Sequence, residues 1–432
     1  MAACAPESEP RPRLGYIVAL IGVVLIASAP LALANDGLVR LEALDQLLRT
    51  GRADPIKYSL AGPLAAAPLW YLGEAVGHAD YGVWAFNRIA FGLMLLALWF
   101  VLRPVLGEPE RLRFVLFLLF GSMFPWHVQF FFAEVFHVVC VGLGLALAAQ
   151  RWRGGWVLVV WGTVNVPASV VGLGLAVCVL CWYRRRLRYA LAVIPTVAMI
   201  LRENQLRWGD PFRSGYEGEH GHPTPLPFSA RPGFSYPMFF GLLSVLFSFG
   251  KGLAFFTPGL FLSYPRRDPD PVRLIYQMWV AVVVGLVLVY ARWWAWYGGA
   301  AWGPRFFLFA CLPAALVLAR PTPRPLGVNL LVLTAVTLSC WAAASGMVFA
   351  EHGFERFWEN DFALEYLTWY VPECSVLWWP FVRPKPMAWF DWLRLAGFAV
   401  GYVYLAVPLA ADVVRQLRER IGAARRGPRF KF

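Results

Sequence analysis

LGYIVALIGVVLIASAPLALA, residues 14–34, is the stretch that decides the architecture, because it holds no charged side chain along its whole length. A helix rises about 1.5 Å per residue, so a run of this length reaches across the ~30 Å of hydrocarbon in a bilayer. Arg11 and Arg13 precede it and Ala32-Leu33-Ala34 closes it, a pattern that imitates a cleavable signal peptide. The apolar run exceeds the roughly 7–15 residues of a signal core, so it reads as a retained membrane anchor.

Comparable windows recur to the far end of the chain. They fall at Val83–Leu102, Phe114–Phe131, Glu134–Ala149, Trp156–Val164, Ala168–Tyr183, Tyr189–Leu206 and Phe239–Tyr264, then at Leu274–Tyr290, Phe306–Ala319, Leu326–Phe349 and Leu393–Val413. Trp156–Val164 is too short to cross alone and pairs with the next segment across a break near Asn165 and Pro167. With 59% hydrophobic and 15% charged residues, the chain inverts the balance a soluble surface of this size requires. The expected fold is an all-α integral membrane protein of about 11–13 transmembrane helices with extracytoplasmic interfacial helices. Residues 1–413 form one module and 414–432 a basic tail, read as an electrostatic anchor at the cytoplasmic leaflet. No inverted internal repeat is visible, and Cys374 alone among the cysteines falls in an outer loop, which argues against a disulfide framework.

The net charge of +13 does not point to nucleic acid, because the basic residues collect at the ends of spans. With a cytoplasmic N-terminus, the inner segments carry 23 of the 39 basic residues and only 8 of the 26 acidic ones. The positive-inside rule then places both termini in the cytoplasm, in a plasma (inner) membrane. The long polar segments 35–80, 207–236, 291–305 and 351–391 fall on the extracytoplasmic side, and function is sought there.

Asp36 follows the first span directly. It is read either as a turn or helix-capping residue, or as a general base held by a rigid span at the water boundary. The stretch after it carries Leu38, Leu41, Leu44 and Leu48 on one helical face and Arg40, Glu42, Asp45 and Arg49 opposite, which suits a helix lying in the interface. Lys57, beside Tyr58, is either an interfacial snorkelling residue or a phosphate contact. Glu134, seven residues after His127, is either a hydrogen-bonded helix end or a contact to a polar ligand. Glu217–His222 mixes carboxylates and imidazoles in a glycine-rich loop, which supports a divalent metal only weakly; otherwise no cofactor is expected. Lys251, in Gly250-Lys251-Gly252, interrupts a long apolar run and marks a break in it.

The loop RWWAWYGGAAWGPRF, residues 292–306, is the most informative of the outer segments. Its aromatic residues, Trp302 among them, suit a membrane-interface belt, but a belt needs no Gly298-Gly299 and no Gly303-Pro304-Arg305. Proline at the first helical position would leave free amide groups and the positive helix end facing outward, and Arg305 would add a bidentate donor for a phosphate.

These residues resemble the GT-C superfamily of polytopic glycosyltransferases, such as protein O-mannosyltransferases and lipid A aminoarabinose transferases. The likeness covers most of the chain and includes Asp36 after the first span, Lys57-Tyr58-Ser59-Leu60-Ala61-Gly62-Pro63-Leu64 and Glu134. A second set resembles bacterial members, running from Asn204 through Arg207–Tyr216 and Phe249–Gly252 to Tyr297–Arg305. The resemblance implies a sugar donor carried on a polyprenyl phosphate and inverting transfer, at the extracytoplasmic face, to a lipid, glycan or protein acceptor. It implies Asp36 as general base, Arg305 with Lys57 or Lys251 on the donor phosphate, and Glu134, His127, Tyr58 and Trp302 as substrate contacts. This chain departs from the pattern in carrying Asn35-Asp36 in place of a paired acidic motif. The other readings are a lipid-linked glycan transporter or flippase, which calls for mid-membrane charge and inverted repeats, and a non-catalytic envelope scaffold.

Overall fold

The computed structural model describes residues 12–32, 36–265, 270–320, 324–350 and 355–425. Among the described residues the chain is helical and has no strand, its β contact being an isolated bridge between Ala32 and Phe130. Five helices are long and apolar enough to cross a bilayer: Ala79–Val101, Pro167–Arg184, Asp270–Tyr290, Leu326–Phe349 and Trp389–Gly422. Shorter apolar helices occupy Arg13–Ala27, Ala133–Ala149, Gly155–Asn165, Met238–Phe247 and Arg305–Ala319. With Glu108–Phe120 and Val193–Trp208, every segment read from hydropathy contains a helix. Leu20, Leu93 and Leu331 each stand more than half exposed, outward-facing apolar surface that hydrocarbon, not water, can cover.

Where helix bounds differ from the expected spans, local chemistry explains the shift. Phe114–Phe131 is not one helix: Gly107 precedes a helix of Glu108–Phe120 with Pro109 in its first turn, Glu110 Oε2 accepts from the Gly107 amide at 3.0 Å, and a separate turn of helix occupies Phe124–His127. Tyr189–Leu206 begins as a 3-10 turn at Leu187–Ala192 before continuing as Val193–Trp208. Phe239–Tyr264 is broken after Phe247, and the chain passes Gly250-Lys251-Gly252 before short turns at Leu253–Phe256 and Pro258–Phe261. Gly250 lies so close to the Thr368 carbonyl that any Cβ would collide with it, which explains why backbone and not a side chain fills that gap. The last helix does not stop at Val413 but runs on to Arg425, enclosing Pro408. The short Gly155–Asn165 helix ends at Val166, between Asn165 and Pro167, where the break was expected.

Backbone-to-backbone packing at glycines sets the helix spacing. A Cβ on Gly285 would stand 2.2 Å from Gly172 Cα, so Asp270–Tyr290 and Pro167–Arg184 cross in direct contact. A Cβ on Gly144 would stand 2.6 Å from the Gly155 carbonyl, which closes the hairpin formed by Ala133–Ala149 and Gly155–Asn165. That hairpin is tied to the segment after Asp36 by two side chains, Trp161, whose Nε1 donates to the Ala61 carbonyl at 3.0 Å, and Asn165. Asn165 Nδ2 donates to the Ala133 carbonyl at 2.8 Å, and its Oδ1 accepts from the Gly62 amide at 2.9 Å. Segment 35–80, expected as a loop with one interfacial helix, holds a second at Ala61–Ala75.

Candidate active site

Three helices begin at one place. Asp36 is the first residue of the Asp36–Thr50 helix, Glu134 sits in the first turn of Ala133–Ala149, and Arg305 opens the Arg305–Ala310 turn. Acids at helix N-termini are favoured by the positive end of the helix dipole, whereas an arginine there is not. The two acids resolve that conflict: Arg305 Nη2 donates to Asp36 Oδ2 at 2.7 Å, and its Nε lies 3.9 Å from Glu134 Oε1. At 3.9 Å that second approach is an ion pair without a hydrogen bond, so Nε of Arg305 is a buried donor with no hydrogen-bond partner.

Asp36 is held on both oxygens, because the Tyr58 hydroxyl donates to Oδ1 at 2.7 Å. Burial works to raise the carboxyl pKa, but the Arg305 charge, the Tyr58 hydrogen bond and the Arg40 charge together outweigh it and hold Asp36 below its ordinary value. The same contact, added to burial, pushes the Tyr58 hydroxyl well above the usual phenol range. The Tyr58 ring lies 4.5 Å from the Arg40 guanidinium and 5.2 Å from the Lys57 ammonium.

Arg40 corrects the amphipathic reading of its helix. It is buried, with Leu41 and Leu44, while Leu38 is exposed, because its guanidinium turns inward to donate to the Ser59 carbonyl at 3.3 Å. Its Nε is a second buried donor without a partner. Behind it, Glu203 accepts from the Ser59 hydroxyl at 2.9 Å and from the Leu60 amide. Arg207 donates to the carbonyls of Ile56 and Tyr58 at 2.7 and 2.8 Å. The strand of loop carrying Tyr58 is therefore clamped by an acid and a base one helical turn apart. Arg40, Ser59 and Arg207 were given no site role from sequence and Glu203 was not named; the usable signal was the Glu203/Arg207 pair at the very end of an apolar segment.

Lys57 pairs with Glu219 at 2.5 Å and borders the same cluster. Glu219 is thus taken by a lysine, while His222 stacks on Phe362 with ring centroids 4.5 Å apart and His220 contacts the Gly221 carbonyl. The carboxylate and the imidazoles of that loop face different partners and do not converge.

Lys251 stands apart from Asp36. Its ammonium is buried and donates to the carbonyls of Gly299, Ala301 and Gly303 at 3.1, 2.5 and 3.2 Å, so all its donors are spent on one loop. That loop needs glycine: Gly298, Gly299 and Gly303 have φ of 79°, 71° and 67°, and a Cβ on Gly298 would stand 2.9 Å from Arg305 Cγ. Lys251 and the glycines together set where Arg305 emerges. The expected cradle of free amides at Pro304 is not formed, because the Arg305 amide donates to Gly303 and the Phe307 amide to Pro304, with Pro304 itself outside the helix.

Trp302 and His127 have other partners. Trp302 is buried against Gly346, Phe256 and Trp126 and belongs to the core, not to an interfacial belt. His127 is fully buried, with Nδ1 at 2.8 Å from the Met123 carbonyl. A cavity of about 620 Å3 opens near these residues, lined by Trp126, Gln129, Met347, Lys385, Asp391 and Arg394.

No family model matches the chain, and no curated protein matches it in sequence. Solved structures do. The chain is similar to ArnT from Cupriavidus metallidurans bound to undecaprenyl phosphate, with a TM-score of 0.52 and 15% identity over 93% of this chain and 77% of that one. Against ArnT from the same organism in the apo state the TM-score is 0.50, at 15% identity over 93% and 75% of the two chains.

Proposed function

From a chain that carries the GT-C-type integral membrane fold, we propose a glycosyltransferase that moves a sugar from a polyprenyl-phosphate donor to an acceptor hydroxyl or amine at the extracytoplasmic face. The observation that carries this reading is the Asp36–Arg305 contact, flanked by unpartnered buried donors on Arg305 and Arg40. Such donors cost free energy unless an acceptor arrives, and a phosphate monoester or diester supplies several acceptor oxygens. The neighbouring ArnT structure is bound to undecaprenyl phosphate, which supports a prenyl phosphate as the anion.

In the proposed cycle, the donor phosphate takes Arg305 away from Asp36, which frees one carboxylate oxygen and makes Asp36 a stronger base at the moment substrate is present. The acceptor O–H attacks the anomeric carbon from the face opposite the phosphate, and Asp36 takes its proton as the new C–O bond forms. The anomeric C–O bond to phosphate breaks with inversion, and polyprenyl phosphate leaves with the electron pair, its charge met by Arg305 and Arg40. Glu134 stays beside Arg305 as a fixed counter-charge, Tyr58 orients Asp36, and Lys57 borders the sugar side. Lys251 acts on the phosphate only through the loop it holds. The cycle uses protein groups alone, with no step through a metal.

The test is transfer by the purified full chain in proteoliposomes supplied with a panel of polyprenyl-phosphate sugars and an envelope lipid extract. Product with wild type and none with a correctly folded Asp36→Asn supports the proposal. Undiminished turnover in Asp36→Asn removes Asp36 as the base.

A further inference from the structure

A cavity of about 960 Å3 lies at the far end of the helix bundle from Asp36. Glu134 marks one end of the Ala133–Ala149 helix, and the cavity begins at the other, about 25 Å away for a helix of 17 residues. Its mouth is lined by Arg151, Arg153, Arg184, Arg186 and Arg188, and its lining contains no acid. No Asp or Glu occurs anywhere between Glu134 and Glu203 in the sequence. Arg184 spends Nη2 on the Ala149 carbonyl at 2.6 Å, while its Nε is buried without a hydrogen-bond partner. Among the described residues Arg151, Arg186 and Arg188 enter no ion pair, so the mouth carries a net positive charge.

The rest of the lining is of the opposite character. Trp156, Val157, Val160 and Trp161 from one helix face Pro195 and Met199 from another, making an apolar wall that runs from the arginines along the Gly155–Asn165 and Val193–Trp208 helices. Trp152 and Leu191, both in the lining, are exposed, as are Trp182 and Leu187 nearby in sequence. A free phosphate would use the arginines and leave that wall bare. A molecule with an anionic head and a hydrocarbon chain matches both parts, and the volume lies within the roughly 300–1,000 Å3 typical of small-molecule sites.

We propose that this cavity is a binding site for an anionic phospholipid, with the headgroup phosphate among Arg151, Arg153, Arg184, Arg186 and Arg188 and one acyl chain along the Trp156–Trp161 wall. Basic pockets between transmembrane helices bind anionic headgroups by the same chemistry. The site is separate from the one that contains Asp36, and the proposal does not depend on how that one works.

The test is native mass spectrometry of the full chain released from mixed micelles containing equal amounts of phosphatidylglycerol and phosphatidylcholine. Wild type is expected to keep one phosphatidylglycerol, enriched about tenfold or more over phosphatidylcholine. The fourfold variant Arg151→Gln, Arg153→Gln, Arg186→Gln, Arg188→Gln is expected to lose that enrichment, whereas the charge-matched control Arg415→Gln, Arg418→Gln, Arg420→Gln, Arg394→Gln keeps it. Circular dichroism and thermal unfolding establish that each variant is folded. Where the fourfold variant is not, Arg186→Gln with Arg188→Gln, both exposed, is read by the same criterion. Equal retention of the two lipids, equal loss in the control, binding of inorganic phosphate with no lipid preference, or displacement of phosphatidylglycerol by sub-stoichiometric undecaprenyl phosphate overturns the assignment.

Discussion

Arg305 Nη2 meets Asp36 Oδ2 at 2.7 Å across 269 residues of sequence, with the two side chains only 12% and 21% exposed. The contact joins the group proposed to take a proton and the group proposed to hold a phosphate, so each is the other's resting partner. Arg305→Ala is expected to raise the donor Kd about 10- to 100-fold, the worth of one or two charge-assisted hydrogen bonds of about 1.5–3 kcal/mol. Arg305→Lys, a point charge without the fork, should recover only part of the loss. Equilibrium binding of a polyprenyl-phosphate sugar to the purified variants measures this, and an unchanged Kd in Arg305→Ala would falsify the phosphate assignment.

The Asp36 carboxyl is held below its ordinary value, and the sign of the pH dependence follows. The depressed group is ionised, and stabilising, at every pH above the unfolded value of ~3.9; that contribution is lost only as pH falls through the lower folded value. The profile of kcat/KM, which reports the free enzyme, should therefore hold its plateau down through pH 5 and show an acid limb below the usual carboxylate range. Tyr58→Phe removes one hydrogen bond to the ionised form and is expected to shift the limb upward by up to about one pH unit. A pH–rate profile that coincides with wild type would remove Tyr58 from the orientation of Asp36.

Lys251 presents another case, a buried cation whose hydrogen bonds go to the carbonyls of Gly299, Ala301 and Gly303, with the buried Glu365 carboxyl as a neighbouring charge. Lys251→Met leaves those acceptors without their donor, at about 1–3 kcal/mol for each that water fails to reach. Thermal unfolding should fall by several degrees, and donor affinity should fall with it because the loop that places Arg305 loosens. A variant that melts lower yet binds donor normally would confine Lys251 to stability.

Gly285 and Gly172 make the closest helix crossing described above. Gly285→Val is expected to push the two helices apart and to destabilise by about 1–3 kcal/mol, the usual cost of overpacking. The check is thermal unfolding in detergent beside Gly174→Val, a position on the helix that carries Gly172 with nothing within 4 Å of an added Cβ. Equal melting of the two variants would show that the crossing is not set by these glycines.

Every segment located by hydropathy contains a helix because bilayer thickness fixes how long an apolar run must be, but the ends were misplaced wherever a local device overrode length. Gly107 with Glu110 starts one helix early, and Gly250-Lys251-Gly252 breaks another in the middle of apolar sequence. Of the site, Asp36, Glu134 and Arg305 were legible because charge at the mouth of a span needs a reason, and Tyr58 only through the resemblance; the structure brings all four together. Lys57 lies at the rim, whereas Lys251, His127 and Trp302 serve the core and the loop behind Arg305. Arg40 was hidden because helical periodicity assigns a face to each side chain but cannot say that a long one turns back. Glu203 and Arg207 were hidden because their partners, Ile56 to Leu60, are about 150 residues away, and nothing local records that distance.

The same separation has a consequence in time. A ribosome adds about 5–20 residues each second, so Asp36 leaves it roughly 13–55 s before Arg305. Until then the nascent N-terminal half carries a carboxylate at the lip of the bilayer with Tyr58 as its hydrogen-bond partner and Arg40 nearby. The site thus closes with a latch: arrival of the Gly298–Arg305 loop neutralises a charge that has been waiting since the first helix inserted, and a chain cut short before that loop has no such closure.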